Sequence, residues 1–167
     1  RISREKGVIC LLNALNKVAS RGYFCKLKLV GQCTGYMSSH IRKAYKQLKI
    51  DILGTVSFNE LKELYTTNTI GVIPSLHEQC SYVAIEMMAY GIPLVGTDTT
   101  GLKEMLEDEC YISVEYIEGK KDLIMNALTE NLLTVLSLNR HKRIRDQSWK
   151  YNIENVKLQL LSFYLGM

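Results

Sequence analysis

The chain has 167 residues, of which 47% are hydrophobic and 23% are charged, and its net charge is +4. This length and composition suffice for one globular core and exclude a disordered chain, so we predict a single domain over residues 1–167. The positive charge suits an anionic small ligand, but it lacks the clustering of a nucleic-acid-binding surface.

The cysteines and histidines argue against a disulfide framework and against a metal centre. The five cysteines are scattered without a Cys-x-x-Cys pair, and the three histidines are far apart in the sequence. Such cysteine usage is typical of reduced thiols in a cytoplasmic protein. We see neither a signal peptide nor an apolar run that could span a bilayer, and therefore predict a cytoplasmic location.

A basic cluster lies just before the first helical pattern. Arg1, Arg4 and Lys6 precede Gly7, and the apolar stripe of the helix then consists of Val8, Leu11, Leu12, Ala14, Leu15 and Val18. An exposed basic loop is the plain interpretation of the cluster. The alternative is a phosphate site, in which guanidinium and ammonium groups complement a diphosphate beside the N–H groups of a helix start.

Strands and helices are predicted to alternate along the chain. The predicted strands cover residues 27–31, 50–56, 69–74, 92–95 and 110–114. The predicted helices cover residues 37–48, 81–90, 102–106, 121–138 and 138–165, and another begins at the capping box Ser57-x-x-Glu60. This alternation predicts an α/β fold, a Rossmann-like parallel sheet with helices on both faces.

A basic run over residues 139–146 lies at the start of the last predicted helix. One interpretation is a solvated helix face. The other is a peripheral contact with anionic lipid at the inner face of a membrane, although one such run is weaker than the several signals that stable anchoring needs.

Two carboxylates mark the segment over residues 73–104. Glu78 follows a strand and a loop, where α/β proteins bind anionic and sugar-bearing ligands, although simple helix electrostatics would also favour a carboxylate there. Glu86 is the only charged residue between Gln79 and Thr97, and its helix is so apolar that we predict it to be largely buried. A buried carboxylate needs a partner, which is either an internal group or the hydroxyls of a polar ligand such as a ribose.

These residues resemble the donor-binding signature of retaining glycosyltransferases of family four. The signature spans EQCSYVAIEMMAYGIPLV, which begins at Glu78 and contains Glu86, and then TTGLKE, which begins at Thr99. The resemblance covers nearly the whole chain and implies the C-terminal, nucleotide-sugar-binding half of a GT-B fold. The first strand of that half and the N-terminal acceptor domain would then lie outside residues 1–167.

The resemblance also implies roles for individual residues. Arg1 and Lys6 would hold the donor diphosphate, Glu78 the hydroxyls of the transferred sugar, and Glu86 the ribose. We group Arg1, Lys6 and Glu78 as the catalytic residues. Further donor contacts are implied at Gly31, Thr55, Val56, Gln79, Cys80, Ser81, Thr100 and Gly101.

The implied reaction is transfer of a hexosyl group from a nucleoside diphosphate sugar to an acceptor hydroxyl, with retained anomeric configuration. Polysaccharide or glycoconjugate synthesis is the expected setting. No metal and no other cofactor are expected, because in this family cationic side chains stabilise the diphosphate.

The chain departs from the family pattern after the first carboxylate. Relatives commonly have Gly-Phe-Gly there, whereas this chain has Gln79-Cys80-Ser81, whose side chains narrow the space beside the sugar. Ser81 can still cap the following helix. The departure therefore leaves the identity of the donor open.

Other functional classes remain as alternatives. A GT-B sugar-nucleotide epimerase would bind a similar donor but needs further acid and base residues in its cleft. A non-catalytic nucleotide-sugar-binding module would bind the donor and transfer nothing. A flavodoxin-like regulatory domain should carry an acidic cluster at its strand ends, and the basic residues Arg1 and Lys6 argue against it.

Overall fold

The computed structural model describes residues 1–67, 70–79, 81–99, 102, 111–115 and 121–137. Helices and strands alternate in these ranges, as predicted. The strands are β1 (Lys26–Val30), β2 (Lys49–Gly54), β3 (Gly71–Ile73), β4 (Leu94–Asp98) and β5 (Tyr111–Glu115). The helices are α1 (Val8–Ser20), α2 (Gly35–Ala44), α3 (Phe58–Thr67), α4 (Tyr82–Ala89) and α5 (Lys121–Ser137). The helix predicted at 138–165 and the basic run at 139–146 lie outside the described residues.

The strands pair in parallel, which confirms the predicted Rossmann-like arrangement. β1 pairs with β2, with Leu27 opposite Ile50, and β4 lies between β3 and β5, with Val95 opposite both Val72 and Ile112. Parallel pairing puts the carboxyl ends of neighbouring strands at one edge of the sheet. The loop after β1 therefore lies at the same edge as the end of β2, and the loop after β3 lies at the same edge as the end of β4.

Helices pack on both faces of β4. Leu94 packs with Ala84 and Met88 of α4, whereas the next residue, Val95, packs with side chains of α1 and α5. Adjacent residues of a strand point to opposite faces of the sheet. The central strand therefore lies between two helical layers, as the alternation of elements predicts.

The apolar stripe predicted for the first helix is buried along its whole length. Leu11 and Leu15 pack toward β4 and α5, while Val8 and Leu12 pack against β1 and α2. α1 thus belongs to two apolar clusters. Burial of each such leucine contributes roughly 1.5–3 kcal/mol to folding.

The predicted start of one helix is confirmed, whereas the predicted end of another is not. The capping box is confirmed, since the backbone N–H and the hydroxyl of Ser57 each donate to Glu60 Oε2 at 2.7 Å. By contrast, α2 ends at Ala44 and not at Leu48. Tyr45 leaves the helical conformation with φ −124°, yet Tyr45 and Leu48 still pack into the same cluster, so the apolar spacing continues beyond the helix.

The prediction that the Glu86 helix is largely buried is wrong. Ser81 caps α4 as predicted, because its hydroxyl oxygen accepts from the N–H of Ala84 at 3.2 Å. Ala84 and Met88 are the buried residues of α4, but Tyr82 is 74% exposed and Glu86 is also exposed. Among the described residues, α4 packs on the sheet through Ala84 and Met88, while Tyr82 and Glu86 lie on an exposed side.

No helix in the described part of the chain is both long enough and apolar enough to cross a membrane.

Candidate functional site

A cavity of about 480 Å³ runs along β1 and β3, from Lys26 at the start of β1 to the carboxyl ends of both strands. It extends between these two strands and reaches the side of α4 that carries Glu86. Six of the residues predicted for the site line it together, namely Arg1, Lys6, Gly31, Glu78, Ser81 and Glu86. The structure therefore brings both predicted carboxylates and both predicted cations to one cavity.

Gly7 brings the start of α1 against the loop that follows β3. It has φ 66°, and a Cβ at this position would lie 1.7 Å from the Pro74 carbonyl oxygen. Nearby, the N–H of Leu76 donates to the Glu5 carbonyl at 2.9 Å. Gly7 provides no side-chain cap, and the first turn of α1 has no acidic residue. The partial positive charge of this helix end is thus not offset by α1 itself, which favours an anionic ligand.

Replacing Gly7 by alanine should destabilise the protein more than replacing Gly22. Both glycines have positive φ, 66° and 85°, but a Cβ at Gly22 meets nothing within 4 Å. Each substitution should cost about 1–2 kcal/mol for the left-handed backbone. Gly7→Ala must also displace Pro74, which should add roughly 1–3 kcal/mol. Urea unfolding of both variants measures the difference, and equal losses would contradict the close contact.

Lys6 and Glu78 form an ion pair at the mouth of the cavity. Lys6 Nζ lies 2.8 Å from Glu78 Oε2, and the Ser75 hydroxyl donates to the same oxygen at 3.1 Å. The Glu78 side chain is 14% exposed and that of Lys6 is 41% exposed. Within the described ranges no hydrogen bond reaches Glu78 Oε1. One carboxylate oxygen is therefore held by the protein, while the other and two further N–H groups of the ammonium can serve a ligand.

Ser75 was not identified from the sequence as a functional residue, although the loop that contains it was. It is 2% exposed, and its carbonyl accepts a hydrogen bond from the buried Thr97 hydroxyl. Thr97 thus ties the end of β4 to the loop after β3. The Thr99 hydroxyl is buried and has no partner among the described residues.

Glu86 has an internal partner that the sequence did not show. The Tyr65 hydroxyl donates to Glu86 Oε2 at 2.7 Å. Burial raises the pKa of Tyr65 above its ordinary value, and the hydrogen bond to Glu86 and its negative charge raise it further. The phenol therefore stays protonated at neutral pH and remains a donor. Of the two alternatives for Glu86, the internal partner is present, and the carboxylate also faces the cavity.

Arg1 and Gly31 lie next to each other at the end of β1. Gly31 has φ 124°, and a Cβ there would come within 3.0 Å of the Arg1 backbone nitrogen. The absence of a side chain at Gly31 therefore allows the backbone of Arg1 to approach closely. The Arg1 guanidinium is exposed and lies 3.6 Å from a carboxylate oxygen of Glu5, a surface contact worth little in water.

The other predicted donor contacts do not join the cavity or cannot be placed. Thr55 and Gln79 are exposed and Val56 is half-buried, and none of the three lines the cavity. Cys80, Thr100 and Gly101 lie outside the described residues. In the part of the chain that is described, no cluster of three His, Cys, Asp or Glu side chains is arranged to hold a metal ion.

The structure is that of an α/β domain with a cavity that reaches the carboxyl ends of parallel strands, the place where ligands commonly bind in such folds. The family model described as glycosyl transferases group 1 matches residues 1–137. The chain therefore belongs to this family of glycosyltransferases, which confirms the resemblance to family four.

Curated relatives agree with this assignment. An uncharacterized glycosyltransferase of Methanocaldococcus jannaschii is 34% identical over 113 residues, which are 65% of this chain and 28% of that protein. The alpha-D-kanosaminyltransferase of Streptomyces kanamyceticus is 26% identical over 110 residues, again 65% of this chain and 28% of that protein. The chain thus spans 28% of the length of each of these relatives.

Solved structures show the same fold. The pneumococcal O-GlcNAc transferase GtfA, in complex with UDP and GlcNAc, has a TM-score of 0.79 at 18% identity, covering 99% of this chain and 33% of its own. Anabaena HepE in complex with UDP has a TM-score of 0.67 at 16% identity, covering 100% of this chain and 47% of its own. The likeness confirms the predicted fold, the C-terminal part of a GT-B glycosyltransferase.

Proposed function

We propose that residues 1–167 form the donor-binding domain of a retaining hexosyltransferase that takes a nucleoside diphosphate sugar. The observation that carries the proposal is the Lys6–Glu78 ion pair at 2.8 Å, in the cavity that Glu86 also lines. A cation paired with one carboxylate, with a second carboxylate on the same cavity, suits a ligand that has both phosphates and hydroxyls. In the described ranges each carboxylate has one oxygen without a protein partner.

In the proposed reaction Lys6 stabilises the leaving group. As the glycosidic bond lengthens, negative charge grows on the diphosphate, and an ammonium beside it binds the transition state more strongly than the ground state. The amino-terminal end of α1 adds a second positive potential. Gly7 allows this end to lie close to Pro74. Arg1 is exposed at the same edge and turns toward the diphosphate when the donor binds.

Glu78 and Glu86 orient the donor in this proposal. Glu78 is fixed by Lys6 and Ser75 and accepts from hydroxyls of the transferred sugar, which sets the position of the anomeric carbon. Glu86 accepts from the ribose hydroxyls. Because the two carboxylates bind different parts of the donor, they do not act as the acid and base of a hydrolase.

The relatives suggest which donors to test first. Two structural relatives were solved with UDP, and UDP-hexoses are therefore the first candidates. The experiment is to incubate the whole protein with UDP-, GDP- and ADP-hexoses and acceptor candidates, and to follow release of the diphosphate and the anomeric proton of the product. Transfer with retention supports the proposal. Tight binding without transfer to any acceptor would indicate a non-catalytic binding module.

We also infer that a further parallel strand joins β1 to β3 in the whole protein. Within the described residues each of these strands has one open edge, and both strands line the cavity that separates them. Just beyond β1, Ile2 bridges Cys33 in parallel, and its N–H donates to the Gln32 carbonyl at 2.8 Å. A chain continued backward from Arg1 in this direction enters the groove, the part of the cavity between β1 and β3, where it would satisfy the open backbone groups of both edges. The part of the cavity beside Lys6 and Glu78, at the carboxyl ends of the strands, is left for the donor.

Hydrogen exchange tests this strand. In the whole protein, all amides of Lys26–Val30 and Gly71–Ile73 should exchange slowly, whichever neighbouring strand they face. A truncated protein that starts at Arg1 should exchange rapidly at the amides that face the groove and slowly at those that face β2 and β4. Rapid exchange at the groove-facing amides of the whole protein would contradict the inference. The acceptor domain is proposed to precede the same strand.

A further inference from the structure

Tyr65 is held at both ends of its side chain. It is the buried residue of α3, with 8% exposure. Its ring packs against that of Tyr90, with the ring centroids 5.3 Å apart and the planes inclined by 39°. Its hydroxyl donates to Glu86 Oε2 at 2.7 Å. Packing therefore fixes the ring, and the hydroxyl in turn restrains the carboxylate.

Glu86 needs such a restraint because its side chain is exposed on α4. Ordering a free glutamate side chain on ligand binding costs conformational entropy. The bond from Tyr65 restricts the carboxylate before any ligand arrives. In the described part of the chain no hydrogen bond reaches Glu86 Oε1, and Tyr65 and Glu86 both line the cavity. The lone pairs of Oε1 are thus available on the ligand side.

We propose that Tyr65 is a positioning residue that holds Glu86 Oε2, so that Oε1 accepts from the vicinal hydroxyls of the donor's ribose. This inference rests on the proposed function, and it adds a determinant of selectivity for a ribose over a deoxyribose. Tyr65 acts through Glu86, whose carboxylate it orients. A carboxylate oriented in advance gives stronger and more selective hydrogen bonds, because less freedom is lost on binding.

The test is Tyr65→Phe, measured with two kinds of ligand. UDP, GDP and ADP are each compared with their 2′,3′-dideoxy analogues, which lack both ribose hydroxyls. We expect about a tenfold loss of affinity for the ribonucleotide that the wild type binds best, the scale of one hydrogen bond to a charged group. We expect no change for its dideoxy analogue. A merely structural role would weaken both ligands equally.

Tyr45→Phe is the matched control. Tyr45 is 7% exposed, and its hydroxyl donates to Asn13 Oδ1 at 2.8 Å, but Tyr45 does not line the cavity. This variant also loses one buried phenol hydrogen bond, and it should leave both affinities unchanged. Partial unfolding of either variant lowers both affinities together, so the ratio of the two affinities still reports the role of Tyr65.

The outcomes separate the two proposals. Selective loss of ribonucleotide affinity in Tyr65→Phe supports the positioning role. Equal affinities of wild type and Tyr65→Phe, or equal losses for both ligands, overturn the positioning role and leave the proposed function intact. Failure of the wild type to bind any of the three ribonucleotides overturns the proposed function, and the ribose assignment of Glu86 and Tyr65 with it.

Discussion

Lys6→Ala should weaken the binding of nucleoside diphosphates by about 3 kcal/mol and the binding of the free nucleoside hardly at all. The substitution removes a charged hydrogen-bond donor, worth roughly 1.5–3 kcal/mol. It also leaves the Glu78 carboxylate, whose side chain is 14% exposed, beside the diphosphate without its cation. Calorimetric titration of the whole protein with both ligands measures the two losses.

Lys26→Ala is the control for this prediction. Lys26 is also paired with a carboxylate, Asp51 at 2.6 Å, and lines the same cavity. It lies at the start of β1, however, at the opposite edge of the sheet from the ion pair of Lys6. Its loss should leave diphosphate affinity unchanged, and equal effects of the two lysines would contradict the role of Lys6.

A double variant separates the two causes of the Lys6 effect. If the unpaired Glu78 repels the diphosphate, the added substitution Glu78→Gln should restore part of the affinity that Lys6→Ala loses. A nucleoside diphosphate carries no transferred sugar for Glu78 to bind. The affinity regained in the double variant therefore measures the electrostatic effect of Glu78 alone.

Glu86→Ala should weaken ribonucleotide binding by roughly 1–3 kcal/mol, because a charged acceptor for ribose hydroxyls is lost. Glu86 is exposed, so its loss should change the free energy of unfolding much less. Glu63→Ala on α3 is the control, since this exposed carboxylate does not line the cavity. Calorimetry with the preferred ribonucleotide gives the result, and an unchanged affinity in folded Glu86→Ala would remove Glu86 from the site.

Elements of the fold with strong local signals could be predicted from the sequence. The apolar stripe of α1, the capping box at Ser57 and Glu60, and the cap at Ser81 depend on short spacings, and all three are present in the structure. The burial of α4 could not be predicted, because apolar composition does not say how many sides of a helix meet other elements. The open side of α4 depends on which neighbours reach it, a property of the tertiary structure.

The site was predictable only in part, for a related reason. Lys6 and Glu78 were found through their resemblance to a signature, but no sequence rule shows that residues 72 positions apart form an ion pair. Tyr65 and Ser75 were missed because each acts through another residue. The sequence shows only that Tyr65 follows the capping box of a predicted helix, and the structure shows that its hydroxyl donates to Glu86. Gly7 was noted as a helix start, while its contact with Pro74 is tertiary.

Calorimetric titration of the whole protein with UDP, GDP and ADP tests the donor-binding role most directly. We expect saturable binding of one of the three diphosphates with clear selectivity over the other two, without added metal. We also expect that Lys6→Ala removes most of this affinity. A folded whole protein that binds none of the three would contradict the assignment of this cavity to a nucleotide-sugar donor.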